Sequence, residues 1–462
     1  MSRIHLKSLF VFRRDLRLVD NTALNAALKK SRTVIPAFIF DPRQVNKHPY
    51  RSSNALQFMI ESLEELNSEL NKRGSKLYIF WGQAEKVIEK LIRVENIEAI
   101  YINEDYTPFS IKRDGRIKKV TEKYGVSFNS YFDLLLTRPG EILTAKGTPY
   151  TVFSYFLKKA RLQSVNTPAK NMLKNYYQRS IAFEKPEVLK KFLLSESNNK
   201  ALHLKAGRRA ALKILRNISR FENYDETRNF PAISGTTGLS AHNKFGTVSI
   251  REVYHAIRKR LGSSHTLIRE LYWRDFFTHL AFFFPHVFGH SFHKKYDQIE
   301  WTTSRKHFAA WRSGQTGFPI VDAGMRELNT TGFMHNRVRM IAASFLVKDL
   351  HIDWRKGEKY FASRLVDYDP AVNNGNWQWA ASTGCDAQPY FRIFNPWLQQ
   401  KKFDPDCEYI KKWIPELAPL SPLQIHNLYK GSDFSGYPAP IVDHSEAREI
   451  AEELFIEAAD KQ

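Results

Sequence analysis

The chain has 462 residues, of which 70 are Lys or Arg and 48 are Asp or Glu, giving a formal net charge of +22 and a pI near 9.7. With 43% hydrophobic and 26% charged residues it can bury large cores, which excludes a disordered polyelectrolyte. Its two cysteines, Cys385 and Cys407, exclude a disulfide scaffold and fit a reducing compartment. At roughly 100–200 residues per domain, the length predicts two or three domains. The segment Met1–Phe10 is too short and too strand-like for a secretory signal. The longest apolar run, Leu280–Phe288, is interrupted by Pro285 and His286, far short of the ~20 residues that span a bilayer. A cytoplasmic protein without a membrane partner is expected. The excess positive charge points to a polyanion, most often nucleic acid, although ordinary solvated enzymes can also be basic.

The first ~130 residues alternate apolar runs of strand length with helical periods. Leu9–Phe12, Val34–Phe40, Leu77–Trp81 and Ala99–Ile102 are continuous apolar runs, the pattern of a parallel sheet covered on both faces. Between the second and third, Leu56, Met59, Leu63, Leu66 and Leu70 recur every three or four residues and mark one helix face, with Gly74 as a stop. Strand alternating with helix predicts a doubly wound α/β domain over residues 1–130. No Gly-x-Gly-x-x-Gly follows the first strand; Arg13-Arg14-Asp15-Leu16-Arg17-Leu18 stands there instead, so a dinucleotide fingerprint is absent. Residues 131–200, with Pro139, Gly140, Gly147, Pro149, Pro168 and Pro186, read as a connector with some helix. From 201 to 462 the pattern is helical, with helical period over 206–219 and 326–348, predicting a larger all-α domain.

Eight of the nine tryptophans lie after residue 270. Core packing accounts for any one of them, while their density in a basic domain also suits a base-stacking platform or a route for electrons. The segment Gly317–Asn395 carries the most chemistry. Its stretch Asp367–Trp379 (DYDPAVNNGNWQW) reads as a rigid polar loop entering a helix, although such loops often only terminate helices. Asn373 there offers a neutral amide that both donates and accepts; Asp367 lies near it in sequence, and Arg339 is a candidate to offset its charge.

The sequence resembles the photolyase/cryptochrome family over nearly its whole length. The resemblance rests on Phe12–Asn21 (FRRDLRLVDN), Gly317–Arg326 (GFPIVDAGMR), Met334–Met340 (MHNRVRM) and Asn373–Trp379 (NNGNWQW). Within the family it is most similar to class I photolyases for cyclobutane pyrimidine dimers. The resemblance implies an α/β N-terminal domain, a linker over 131–200, and a helical domain over 201–462 holding FAD, active when reduced. Tyr224, Thr236, Thr237, Gly238, Leu239 and Ser240 match its FAD segment, with Ala241 where the family usually has Pro. Arg274, Arg339, Asp367, Tyr368, Asp369 and Asn373 complete the implied cofactor set. Arg339 and Asp367 match an ion pair beside the flavin, and Asn373 matches the residue facing flavin N5, which is usually Asp in plant-type cryptochromes.

On the substrate side, Glu270 and Trp273 match the dimer-contacting Glu and stacking Trp, and Asn336, Met340 and Trp379 match the other walls of the pocket. Enzymes for (6–4) photoproducts carry two His at the positions of Asn336 and Met340. Trp377, Trp354 and Trp301 match the electron-transfer triad. Arg228, Arg337, Arg392 and Gln399 match DNA-contact positions, with Lys401 and Lys402 as phosphate neighbours. His335 is read as a helix-capping or supporting histidine. No metal constellation is evident, since Cys385 and Cys407 have no patterned His partners.

Asn103, Tyr106, Pro108, Arg113 and Asp114 resemble the antenna region, but Phe109-Ser110 replaces the Asn-Glu pair of folate enzymes. This leaves a deazaflavin, a second flavin, a folate or no antenna open. The implied activity is light-driven repair of UV-damaged DNA by a monomer associated with the nucleoid. The alternative is a cryptochrome-type photoreceptor. Asn373, Met340 and the set Glu270, Trp273 and Trp379 favour repair.

Overall fold

The structure, a computed structural model, describes residues 4–196, 198–387, 389–431 and 436–460. The chain divides into two compact units, one of Met1–Lys200, Leu204–Glu222 and Gly238–Phe283, the other of Ala201–His203, Asn223–Thr237 and Phe284–Gln462.

The first unit is built on a parallel sheet of strands β1 (His5–Phe12), β2 (Ser31–Phe40), β3 (Tyr78–Trp81), β4 (Ala99–Asn103) and β5 (Ser127–Tyr131) in the order β3-β2-β1-β4-β5. The four apolar runs read from the sequence are the first four of these strands, buried among Leu9, Ile35, Phe80, Ile100 and the helix residues Ile88 and Leu91. The fifth was not expected. Its sequence SFNSY is only partly buried at the sheet edge, so it carries no apolar run. Crossover helices Thr22–Lys30, Ser53–Asn71, Ala84–Glu95 and Pro108–Lys123 complete the doubly wound arrangement.

The Arg13–Asn21 segment that replaces the glycine fingerprint is structural. Asp15 accepts from the Arg13 amide at 2.6 Å and from Asn103 Nδ2 at 2.5 Å. Asn21 caps the helix Thr22–Lys30, its Oδ1 accepting from Leu24 N. Beneath them, Asp133 accepts from Arg17, from Arg251 Nη2 at 2.7 Å, and from the Thr22 hydroxyl and amide at 2.7 and 3.1 Å. Asp20 pairs with Arg251 Nε at 2.9 Å. Four charged groups thus sit out of water at the carboxyl ends of β1 and β5, each met by an opposite charge.

The second unit is built of helices around a core containing Trp311, Met325, Phe345, Trp354, Phe361 and Trp377, with a smaller cluster of Tyr296, Ile299, Phe455 and Ala458. The helical period read over 326–348 is not one helix. Helix Pro319–Thr331 ends at Gly332, which takes a left-handed φ of 68°, and helix Asn336–Ser344 begins afresh after His335. The periodicity is unbroken because both helices bury apolar faces in the same core. A π-helical turn, Phe345–Asp349, follows. No helix among the described residues is long and apolar enough to cross a membrane.

Asp133→Asn should leave the Arg17 and Arg251 cations without their shared carboxylate and destabilise the protein by roughly 3–5 kcal/mol. Burial alone would raise the Asp133 pKa, but Arg17 and Arg251 outweigh it and hold the carboxyl below its ordinary value. Its stabilisation is therefore complete above pH ~4 and is lost as the pH falls below that. Denaturant unfolding should find the variant weaker at pH 7 and less steeply weakened towards pH 3 than the parent.

Candidate functional site

His335 is the N-cap of helix Asn336–Ser344, its Nδ1 accepting from Arg337 N at 3.2 Å. Burial, with Arg339 and Arg337 nearby, pushes its pKa down to about 4, so the ring stays neutral and the capping role stands. One turn apart on this helix, Asn336 and Met340 touch, Nδ2 to Sδ at 3.8 Å. Arg339 donates from Nε to Met334 O at 2.7 Å and from Nη2 to both Asp367 oxygens at 3.0 and 3.3 Å. The expected ion pair is therefore formed.

Helix Pro370–Ala380 is capped by Asp369, whose Oδ1 accepts from Ala371 N and Val372 N. Tyr368 packs against the helical core. Asn373 is buried, and its Nδ2 donates to Glu358 O at 3.2 Å and to Glu358 Oε1 at 2.8 Å. A carbonyl and a carboxylate only accept, so the amide orientation is fixed and Oδ1 is left to accept from a ligand. The sequence could not show this, because Glu358 lies fifteen residues away on helix Trp354–Arg364.

Trp377 and Trp354 are buried in one core, and Trp301 packs against it. Trp301 also meets Phe455 edge-on at 6.2 Å. Trp379 is half-buried at the edge of the same core. Trp311, for which the sequence suggested core packing without a site role, is fully buried with its centroid 6.2 Å from Trp377, and its Nε1 donates to Ala342 O.

A basic surface forms on the same unit. Arg337 donates to Asn229 Oδ1 at 2.7 Å, and its guanidinium lies over Phe403 at 4.3 Å. Lys402 lies over the same ring and Arg228 over Tyr224. Burial, with Arg228 nearby, lowers the Arg337 pKa, which marks a place where an added anion would be welcome. Lys401 and Arg392 are exposed and Gln399 is half-buried. Thr236 and Thr237 are half-buried in this unit, beyond the short helix Tyr224–Thr227.

In the sheet-containing unit, Gly238 takes a φ of 68° and Leu239 precedes the helix Ser240–Phe245. Glu270 and Trp273 are half-buried on helix Thr266–Phe283. Phe153 covers one face of Trp273, with centroids 3.5 Å apart and planes 8° off parallel, and Phe277 lies 5.5 Å away. A ligand stacking on Trp273 meets the remaining indole surface. Arg274 donates to Leu134 O and Asn243 O, at 2.9 and 3.1 Å.

In the antenna region, Asn103 is consumed by the fold. Its Nδ2 donates to Asp15 and Asn21, and its Oδ1 accepts from Ala23 N. Tyr106 donates to Glu104. Phe109 lies between the guanidinium groups of Arg43 and Arg113, at 5.4 and 5.9 Å. Arg13, Arg14, Asp15, Glu104, Asp105 and Asp133 line a small recess beside Asn103, and nearby Arg113 pairs with Asp114 through Nε while its Nη2 is buried without a hydrogen-bond partner.

Cys407 gains a histidine neighbour that its sequence spacing hides, His426 Nε2 at 3.6 Å from Sγ. Burial pushes that thiol up to about 12, so it is protonated at neutral pH. Among the described residues no three His, Cys, Asp or Glu side chains converge as metal ligands.

Two family models match the chain, one described as DNA photolyase over residues 8–172 and one as FAD binding domain of DNA photolyase over residues 267–457. A deoxyribodipyrimidine photo-lyase of Alkalihalophilus pseudofirmus is 37% identical over 468 residues, covering 96% of either chain. Among solved structures, an archaeal photolyase from Sulfolobus tokodaii with two FAD molecules is 45% identical with a TM-score of 0.88, covering 98% of this chain and 100% of that one. A bacterial class III photolyase from Agrobacterium tumefaciens is 36% identical with a TM-score of 0.91, covering 100% and 99%.

The seat of Trp377 depends on Gly357. A Cβ there would stand 2.2 Å from Trp377 Cη2 and 2.5 Å from Leu346 Cδ2. Gly357→Ala should lower stability by roughly 1–3 kcal/mol through overpacking. A lower thermal midpoint with altered tryptophan emission would show the indole displaced.

Proposed function

The chain belongs to the DNA photolyase family, and from that membership together with the geometry of its helical unit we infer that it is a deoxyribodipyrimidine photo-lyase. It repairs cyclobutane pyrimidine dimers in UV-damaged DNA under blue or near-UV light. FAD, when bound in its reduced form, supplies the light-driven electron that splits the dimer. Functionally, residues 1–130 form the antenna-binding domain, 131–200 the linker and 201–462 the FAD- and DNA-binding catalytic domain.

The observation that carries the reading is the fixed amide of Asn373 in the same helical unit as the Arg339–Asp367 pair. A reduced flavin carries an N–H donor, and Asn373 Oδ1 is an acceptor locked in place by Glu358. Arg339 is a cation suited to an electron-rich ring system, which it stabilises over the oxidised one. Tyr224, Thr236, Thr237, Gly238, Leu239 and Ser240 hold the diphosphate end through hydroxyls and backbone N–H groups, and Arg274, Tyr368 and Asp369 support the site.

Glu270, Trp273, Asn336, Met340 and Trp379 hold the flipped-out dimer. A damaged pair costs less to unstack than an intact one, which favours its selection. Met340 and the indole faces supply apolar contact, and Asn336 and Glu270 meet the pyrimidine edges. Arg228, Arg337, Arg392, Gln399, Lys401 and Lys402 bind the phosphates, so affinity falls with salt. Trp377, Trp354 and Trp301 relay an electron inward from the surface to restore the reduced state. The second chromophore is a flavin, supported by the two FAD molecules of the archaeal photolyase and by Phe109 held between Arg43 and Arg113. The protein acts as a monomer, in the cytoplasm, on nucleoid DNA.

Illumination of the reduced protein with a dimer-containing oligonucleotide should return plain thymines by chromatography, and unchanged dimer would overturn the repair reading. Trp377→Phe should repair normally when the flavin is reduced chemically, yet fail when it starts oxidised. Equal repair from both starting states would overturn the relay.

A further inference from the structure

Behind Arg339 the structure holds a three-layer stack that the resemblance does not assign. The His203 imidazole lies face to face with Phe333, with centroids 4.4 Å apart and planes 10° off parallel. The Arg339 guanidinium lies 5.3 Å from the centroid of the same ring. One residue ties two of the layers together. Thr331 O accepts from His203 N at 3.2 Å, and Thr331 Oγ1 accepts from Phe333 N at 3.1 Å. Phe333 is 9% exposed and Thr331 6%, so the middle of the stack is shielded from water.

We propose that His203 and Phe333 are positioning residues for Arg339, holding its guanidinium at Asp367 and thereby setting how strongly the reduced flavin is favoured. This rests on the flavin reading above. The Arg339 side chain is 24% exposed, and an ion pair open to water fixes a long, flexible side chain only weakly. The contact from Nε to Met334 O sets one end of the guanidinium. The ring face sets its plane, and His203 in turn keeps that ring from swinging. Burial and the Lys412 charge hold the His203 pKa below its ordinary value, against the pull of Asp367, so a neutral ring forms the outer layer at neutral pH. Loosening the stack frees Arg339 and leaves Asp367 without its cation. Both changes act against an electron-rich flavin.

The test is the ratio of reduced to oxidised flavin at a fixed electrode poise, read by absorbance in the intact holoenzyme. His203→Ala and Phe333→Leu should each lower that ratio roughly two- to fivefold, the weight of one cation–π contact. His203→Phe, which restores a flat ring, should return it to the parent value. A loss of structure alone would not be rescued in this way. If Phe333→Leu does not fold, the His203 pair decides. Bound flavin with an unchanged ratio in His203→Ala, or His203→Phe behaving like His203→Ala, overturns the positioning role. A parent protein that binds no flavin overturns the flavin reading, and this assignment with it, a result distinguishable from the others.

Discussion

Charge taken out of water has to be met by opposite charge or by oriented dipoles, and this constraint organises both units of a chain that is strongly basic overall. In the sheet-containing unit, Asp133 and Asp20 draw Arg17 and Arg251 beneath the carboxyl ends of the strands, where a glycine-rich turn would otherwise stand. In the helical unit, Asp367 draws Arg339 to one place. The first set is fully enclosed and acts as scaffold. The second is partly open, the Arg339 side chain being 24% exposed.

The same logic of donors and acceptors fixes the neutral groups. Asn373 could point either end of its amide toward a ligand, and Glu358 removes the choice. Asp369 is occupied in capping its helix and Asn103 in joining strand ends. Residues of similar polarity therefore have different functions, decided by whether their hydrogen-bonding capacity is already used. The tryptophans divide likewise. Trp273 is backed by Phe153 on one face, while Trp377 is held by close approach to Gly357.

Much of the fold was legible in the sequence because burial leaves periodic traces. Four strands appeared as apolar runs and the helix Ser53–Asn71 as an apolar stripe. The edge strand Ser127–Tyr131 left no trace, since it is only partly buried. The break at Gly332 was hidden by two helices sharing one core, although a glycine is the residue that a left-handed helix end favours. Candidate site residues came mainly from ordered motifs, which carry identity but not orientation. The Glu358 contact, the His203–Phe333 stack and the Cys407–His426 proximity were not legible. Each depends on residues that only the tertiary fold brings together.

The account stands on a flavin held by this chain, and the absorption spectrum of the protein as purified tests this most directly. It should show flavin bands that bleach under blue light when an external electron donor is present, as expected of a site that favours the reduced form. A protein folded to its normal thermal midpoint with no flavin absorbance, and none gained on incubation with FAD, would contradict it.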